Sequence, residues 1–350
     1  MSNPVEPAGA ATAAVDLRSD TVTRPTAEMR KAMATADVGD DVYGEDPTVN
    51  ELQDLFAERV GKPAALYVPS GTMANQLALR LLAPPATAVL AGARHHVVVY
   101  ENGAGARNAG VQFTTLPDDD GTLEPSDVQW ALDAADHHYP RPGLLCIENT
   151  HMPADGAPWP MDALEAVTRI ARDNDLPVHL DGARLFNAEV ASGISAADYA
   201  APATTVMCCL SKGLAAPVGS LLAGPADVIE RARGERQRLG GGMRQAGIVA
   251  AAGTVALRTM VERLADDHAR AKRLAEAVAE RWPDAAVDLE RIRTNIVTFT
   301  HPGWRALLEH LRAEGVLAGT IAPGVVRFVT HCDIDDDGIE RARKAIASAP

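Results

Sequence analysis

Thr205-Val206-Met207-Cys208-Cys209-Leu210-Ser211-Lys212-Gly213 places a lysine where an apolar run gives way to a glycine-containing loop. Desolvating an ammonium is strongly unfavourable, so a lysine at the end of a buried strand needs a chemical task. Holding a carbonyl compound as a Schiff base is such a task. Upstream, Leu176-Pro177-Val178-His179-Leu180-Asp181-Gly182-Ala183-Arg184 reads as another short buried strand, ending in an acid and, a turn later, an arginine. Pyridoxal phosphate (PLP) requires this pair of groups. An amine holds its aldehyde, and a carboxylate keeps its ring nitrogen protonated so that the ring accepts electrons. Lys212 and Asp181 fit those two roles.

The 350 residues suffice for two domains, or one large domain with an appendage. Hydrophobic residues make up 47% of the chain but aromatics only 4%, which predicts a mainly aliphatic core. A net charge of -14 argues against a nucleic-acid or anionic-membrane partner, because the dominant electrostatic term would be repulsive. Cys146, Cys208, Cys209 and Cys332 lie in or beside apolar runs and form no C-x-x-C pair. Neither disulfides nor zinc is therefore expected, and the reducing cytoplasm is the expected compartment. Residues 1–14, rich in Ala and Pro, read as a disordered tail, and no apolar run is long enough to span a bilayer.

Pro25 and Thr26 predict a helix start, with the helix running to Ala34, and Thr48 to Val60 has helical spacing. Between them, Asp40-Asp41-Val42-Tyr43-Gly44-Glu45-Asp46-Pro47 reads as a polar, turn-rich surface connection. Strand Ala64 to Val68 leads through Ser70-Gly71-Thr72 into a helix, whose free N–H groups would suit a phosphate. His95 and His96 precede an expected strand, and neighbouring strand residues face opposite ways, so at most one should enter a given site. Asp118-Asp119-Asp120-Gly121 reads as a solvated turn. Strand Leu144 to Ile147 ends in Glu148-Asn149-Thr150-His151, a polar cluster at the carboxyl end of a strand, where open α/β sheets place their sites. The alternation predicts an α/β fold with a mostly parallel sheet covered on both faces.

After Lys212, Val218 to Gly224 reads as a strand and the arginine-rich Glu230 to Arg238 as a solvated helix face. Gly240-Gly241-Gly242-Met243-Arg244 suggests a tight loop with an arginine available for an anion. The organisation expected is a tail, a large domain over 15–254 and a small α/β domain over 255–350. Asp333-x-Asp335-x-Asp337-Gly338 begins like a calcium loop, but Lys344 stands where Glu is needed, so no metal site is expected.

With Leu17 to Thr23, Asp40 to Gly44, Glu148 to His151, His179 to Arg184, Leu210 to Gly213, Pro217 to Ser220 and Gly240 to Gln245 in the right order, the chain closely resembles the low-specificity L-threonine aldolases. These are PLP enzymes of fold type I in the β-eliminating lyase group. The resemblance implies that Lys212 carries the cofactor and Asp181 pairs with its ring nitrogen. It implies that Ser70, Gly71, Thr72 and a neighbouring subunit's Arg244 hold its phosphate. The stacking histidine of the family lies five residues before the glutamate matching Glu101, which selects His96. Ser19, Arg184 and Arg327 are implied for the substrate carboxylate, Arg184 also lying beside the cofactor, with His138 and His96 near the β-hydroxyl. Arg244 and Tyr43 imply a site completed by a second chain, hence a homo-oligomer, a dimer of dimers with shared active sites.

Two departures stand out. Met152 replaces the Asn common after Thr-His and precedes a Pro-rich loop with Trp159; Gln237 replaces a basic residue sometimes seen near the phosphate. The expected reaction is retro-aldol cleavage of a β-hydroxy-α-amino acid, with His96, His138, Glu101 or a water as the base. β-Elimination, transamination, hydroxymethyl transfer and a noncatalytic PLP-binding scaffold are the alternatives.

Overall fold

The computed structural model describes residues 14–136, 138–285 and 287–350; apart from Ala14 the expected tail lies outside the described residues, as does His137. Strand β1 (Val15–Asp16) is followed by β2 (Ala64–Val68), β3 (Ala88–Gly92), β4 (Gln112–Leu116), β5 (Pro142–Glu148), β6 (Val178–Asp181), β7 (Thr205–Cys209) and β8 (Ser220–Gly224). The small C-terminal part adds β9 (Ile296–Thr300), β10 (Val316–Leu317), β11 (Gly319–Ala322) and β12 (Val325–Val329). The large sheet has the order β2-β8-β7-β6-β5-β3-β4. Only β8 runs against its neighbours; the remaining pairs are parallel. Strands β3, β7 and β8 are buried at every residue, which explains their unbroken apolar runs in place of alternation.

Because β2 and β7 both oppose β8, the carboxyl ends of β2, β3, β5, β6 and β7 share one edge of the sheet. Residues at or just beyond those ends gather there: Ser70, His95, Glu148, Asp181 and Lys212. A second sheet, of order β11-β12-β9, brings Arg327 towards the same edge. Among the described residues no helix is long and apolar enough to cross a membrane.

The two cores divide the chain differently from the expected 255–350 boundary. Residues as far as Leu264 pack in the core of the large sheet, whereas Ala271, Leu274 and Val278 join the C-terminal core. Val15 and Leu17 belong to that second core too, because β1 pairs in parallel with β10. The start of the described chain thus completes the C-terminal core.

Three local expectations fail for the same reason, a distant partner that composition does not reveal. The valine run after His95 is a short helix, His96–Val99, not a strand. Glu148 Oε2 accepts from the His96 N–H at 2.6 Å, and the N–H groups of Val98 and Val99 turn back to the His95 carbonyl. Tertiary anchoring overrides β-propensity there. The 40–47 connection is not wholly superficial: Asp41 is buried against Arg236 of the supposedly solvated arginine helix, 2.7 Å away. Asp46 is also buried, accepting from the Val49 and Gly247 N–H groups. Asp118, expected in a solvated turn, is buried beneath Arg94 and His151.

Candidate active site

Asp181, at the end of β6, lies in a directed chain of hydrogen bonds. Asn75 Nδ2 donates both to Asp181 Oδ2 at 2.7 Å and to Glu101 Oε1 at 2.8 Å, so its Oδ1 is left to accept from His179 Nε2 at 3.0 Å. His179 Nδ1 then accepts from Thr205 Oγ1 at 2.9 Å. This assigns a neutral His179 tautomer. The Ala183 N–H completes the Asp181 carboxylate at 3.1 Å. Burial pushes the Asp181 carboxyl up, but His96, Lys212 and His179 with the Asn75 hydrogen bond outweigh it and hold the acid below its usual value. A buried, ionised carboxylate facing a cleft is what a pyridinium nitrogen needs.

Burial lowers His179 from 6.5 to about 4. The unfolded chain therefore binds the extra proton first, so the stability associated with neutral His179 is present above about pH 6.5 and is lost as pH falls through about 4. We expect the thermal midpoint of the wild type to fall more steeply across that window than that of His179→Gln. Parallel slopes in a pH series of melting curves would remove His179 from acid unfolding.

His96 is held by Glu101, whose Oε1 lies 2.9 Å from Nδ1. Glu101 Oε2 accepts from Gln76 Nε2 at 2.6 Å. Burial alone would lower the His96 imidazole; the Glu101 hydrogen bond and the nearby Asp181 charge reverse this and raise it. Glu101 is buried with both oxygens engaged, so it orients His96 and is not itself presented to a substrate, a correction to its expected place among the possible bases.

His96, Asp181, Ala183 and Lys212 line two adjoining clefts. The inner one, of about 120 Å³, also takes in Ser70, Gly71, Thr72 and Asn75. It suits PLP on three observations. The helix Gly71–Leu82 presents its N-terminus there, and Ser70 Oγ accepts from the Met73 N–H at 3.2 Å. A Cβ on Gly71 would stand 2.7 Å from Cys209 Sγ and 3.0 Å from Met207 Cε, so only glycine lets this helix start approach β7 so closely. Ser220 Oγ, 3.6 Å from that same point, is buried without a partner among the described residues. Donors for a phosphate, an acid for the ring nitrogen and the Lys212 amine thus share one cleft.

The outer cleft, of about 330 Å³, adds Ser19, Tyr100, Glu148, Thr150, Met152, Arg184, Ile321 and Arg327. Its two arginines are not equivalent. Arg184 is buried and holds Asp20 through two bonds of 2.7 Å, from Nε and one terminal nitrogen. Arg327 gives Nη2 to the Arg18 carbonyl at 2.8 Å and rests Nη1 against Met152 Sδ at 3.5 Å. Its Nε is buried without a partner among the described residues. Arg327 is the arginine with donor capacity for a carboxylate; Arg184 is largely committed to Asp20.

His138, Tyr43 and Arg244 are not brought into the cleft of their own chain. His138 precedes β5 and so lies at the amino edge, the length of the strand, roughly 20 Å, from Glu148. Tyr43 is 76% exposed, and Arg244 is exposed with Nη1 3.3 Å from Asp40. Two larger clefts, of about 880 and 750 Å³, contain none of the expected site residues. Gln237 packs on Gly242 and is absent from the cleft linings. Trp159 is buried beneath β5, its Nε1 donating to the Glu148 carbonyl at 3.0 Å. The sequence assigns no individual role to Asn75, Gln76, Asp20 or Tyr100, and marks Glu148 only as part of the polar cluster that closes β5. Adjacent Asn and Gln inside the otherwise apolar Ala74 to Leu79 were the available signal for the first two.

Residues 16–301 match the family described as β-eliminating lyase. A low specificity L-threonine aldolase of Escherichia coli K12 is 43% identical, the alignment covering 91% of this chain and 94% of that protein. Low-specificity L-threonine aldolase 1 of Arabidopsis thaliana is 40% identical over 91% of this chain and 92% of its own length. Among solved structures, a Leishmania major threonine aldolase superposes with a TM-score of 0.80 at 21% identity, covering 95% of this chain and 98% of that one. That likeness carries the fold, the fold type I architecture of PLP enzymes. Matched along nearly its whole length by such proteins, the chain belongs to the β-eliminating lyase family, on its low-specificity L-threonine aldolase branch.

Proposed function

We infer that the protein is a PLP-dependent carbon–carbon lyase that cleaves L-threonine, L-allo-threonine and related β-hydroxy-α-amino acids reversibly to glycine and an aldehyde. The observation that carries this reading is the meeting of Lys212 and ionised Asp181 in one cleft, with Arg327 on its rim. PLP, when bound, supplies the electron sink for the pair released from a broken Cα bond. Lys212, whose amine reaches both clefts, would hold the cofactor through its aldehyde. Asp181 keeps the ring nitrogen protonated, and the dry surroundings make that charge effective. Arg327, with Ser19 and Thr150 nearby, binds the substrate carboxylate and so selects which Cα bond stands across the ring.

The Glu101 contact, which raises the basicity of His96 and fixes its ring, supports His96 as the group that takes the β-hydroxyl proton. Replacing His96 by Phe keeps a stacking ring but removes the base, so cleavage is expected to fall about 10²- to 10⁴-fold with PLP content retained. Activity near wild type would leave His96 a stacking role only. The direct test of the function is incubation of the holoenzyme with each threonine diastereomer. Acetaldehyde and glycine in equal amounts are expected; 2-oxobutanoate in their place would point to elimination.

The exposed Val38, Val42, Tyr43 and Ile248 lie around the Asp40 to Gly44 turn and the Gly247–Thr259 helix, beside Arg244. An apolar surface next to an arginine that its own cleft does not use supports a homo-oligomer, a dimer of dimers in which Arg244 and Tyr43 serve a second chain's site. The four free cysteines support a cytoplasmic location.

A further inference from the structure

Behind the active site, three loops converge on His95, Asp118 and His151. His95 lies in the turn after β3, Asp118 just beyond β4 and His151 just beyond β5. All three side chains are buried, at 0%, 3% and 0% exposure. One ring nitrogen from each histidine and one Asp118 oxygen lie within 4.8 Å of one another. His151 Nε2 is 2.9 Å from Asp118 Oδ2, and the two imidazole rings are 5.3 Å apart between centroids.

Hydrogen bonding within the protein does not account for this arrangement. Among the described residues neither nitrogen of His95 has a partner, nor does His151 Nδ1. Buried polar nitrogens left without partners are destabilising, so each calls for an explanation. The Asp118 carboxylate is already shared between His151 and Arg94, whose N–H and Nε donate to it at 2.9 and 3.0 Å. The convergence also depends on Gly92. A Cβ there would stand 2.5 Å from Asp118 Oδ2 and 2.6 Å from His95 Nε2. Glycine at the end of β3 therefore lets a carboxylate and an otherwise unused imidazole approach the same point.

We propose that His95, Asp118 and His151 form a binding site for a divalent cation of the zinc class, separate from the PLP cleft. Two imidazoles and one carboxylate form a borderline donor set suited to zinc, cobalt or nickel, whereas calcium and magnesium demand more oxygens. Tetrahedral zinc, with bonds of about 2.0–2.1 Å, holds its donors roughly 3.3 Å apart. The observed spacing reaches that value with small ring movements. A cation here ties together the loops after β3, β4 and β5. Two of these loops enter the active site, since His95 adjoins His96 and His151 lies between Thr150 and Met152. Its role is to brace, and it does not depend on which reaction the cleft performs.

The test uses holoenzyme treated with a chelator, exchanged into clean buffer and titrated with Zn²⁺ or Co²⁺. Bound metal is measured after gel filtration, alongside the thermal midpoint. About one cation per chain and a raised midpoint are expected for the wild type. His95→Ala and His151→Ala should each weaken retention at least about tenfold. Lys212→Ala, freed of cofactor, should retain the cation, which excludes chelation by PLP, and Asp181→Asn should retain it too, which excludes the cluster of His96, Glu101 and Asp181. Visible Co²⁺ bands of tetrahedral nitrogen and oxygen ligation are expected in the wild type, a readout that survives if a histidine variant fails to fold. No retention at micromolar metal, or equal retention by wild type and His95→Ala, would overturn the proposal.

Discussion

Lys212→Ala is expected to abolish both the visible absorbance that PLP acquires on this protein and the cleavage of threonine, the latter by about a thousandfold or more. It should do so while leaving the fold intact. The Lys212 carbonyl accepts from Thr23 Oγ1 at 3.0 Å and from the Ala215 N–H at 2.8 Å, bonds that alanine at this position keeps. No helix or strand contains residue 212, and its side chain projects into the two clefts. A melting curve close to wild type, together with loss of the chromophore, separates a chemical role from a structural one. Retained cleavage would refute the assignment of the lysine, and with it the electron sink on which the proposed reaction rests.

Lys212 and Asp181 were legible because each stands at the end of a mostly apolar run, and a charged residue at such a place has few explanations. Their arrangement followed from topology: residues after parallel strands collect at one edge of the sheet. The same rule separates His138 from the cleft of its own chain, since it precedes β5 and therefore lies at the opposite edge. What sequence order concealed was pairing across long separations. Asp20 meets Arg184 across 164 positions, and Asn75 reaches Asp181 across 106. Neither pair has a local signature. Asp41 and Asp118 misled for a related reason, since an acid that will be buried against a distant arginine looks, within its own turn, like one left in water. The Val97-Val98-Val99 run was misread because its propensity was unopposed locally. The Glu148 carboxylate that anchors its first turn lies 52 residues away.

The two arginines of the outer cleft look interchangeable in sequence, and the structure predicts opposite consequences for them. Arg184→Ala would leave Asp20 buried and ionised, with the nearby Lys212 charge and Asn295 Nδ2 at 3.2 Å left to compensate. Arg184 and its neighbours now hold that acid well below the usual carboxylate range, against the burial that pushes it up. Removing one member of such a pair costs about 3–5 kcal/mol, so Arg184→Ala should show a clear drop in thermal midpoint and in yield of folded protein. Its loss of activity would then follow from loss of structure. Arg327 carries no such obligation: burial and the nearby Arg184 charge depress its guanidinium against the Asp20 charge, and among the described residues it makes no ion pair with an acid. Arg327→Ala should leave stability near wild type or slightly improved, while KM for threonine rises roughly ten- to hundredfold, as expected for one charge-assisted contact of about 1.5–3 kcal/mol. Arg327→Lys should recover only part of this, because a point charge does not reproduce the planar pairing of guanidinium with carboxylate. If Arg327→Ala melted early with KM unchanged, or Arg184→Ala proved stable but unsaturable, the division of labour between the two arginines would be the reverse of the one argued here.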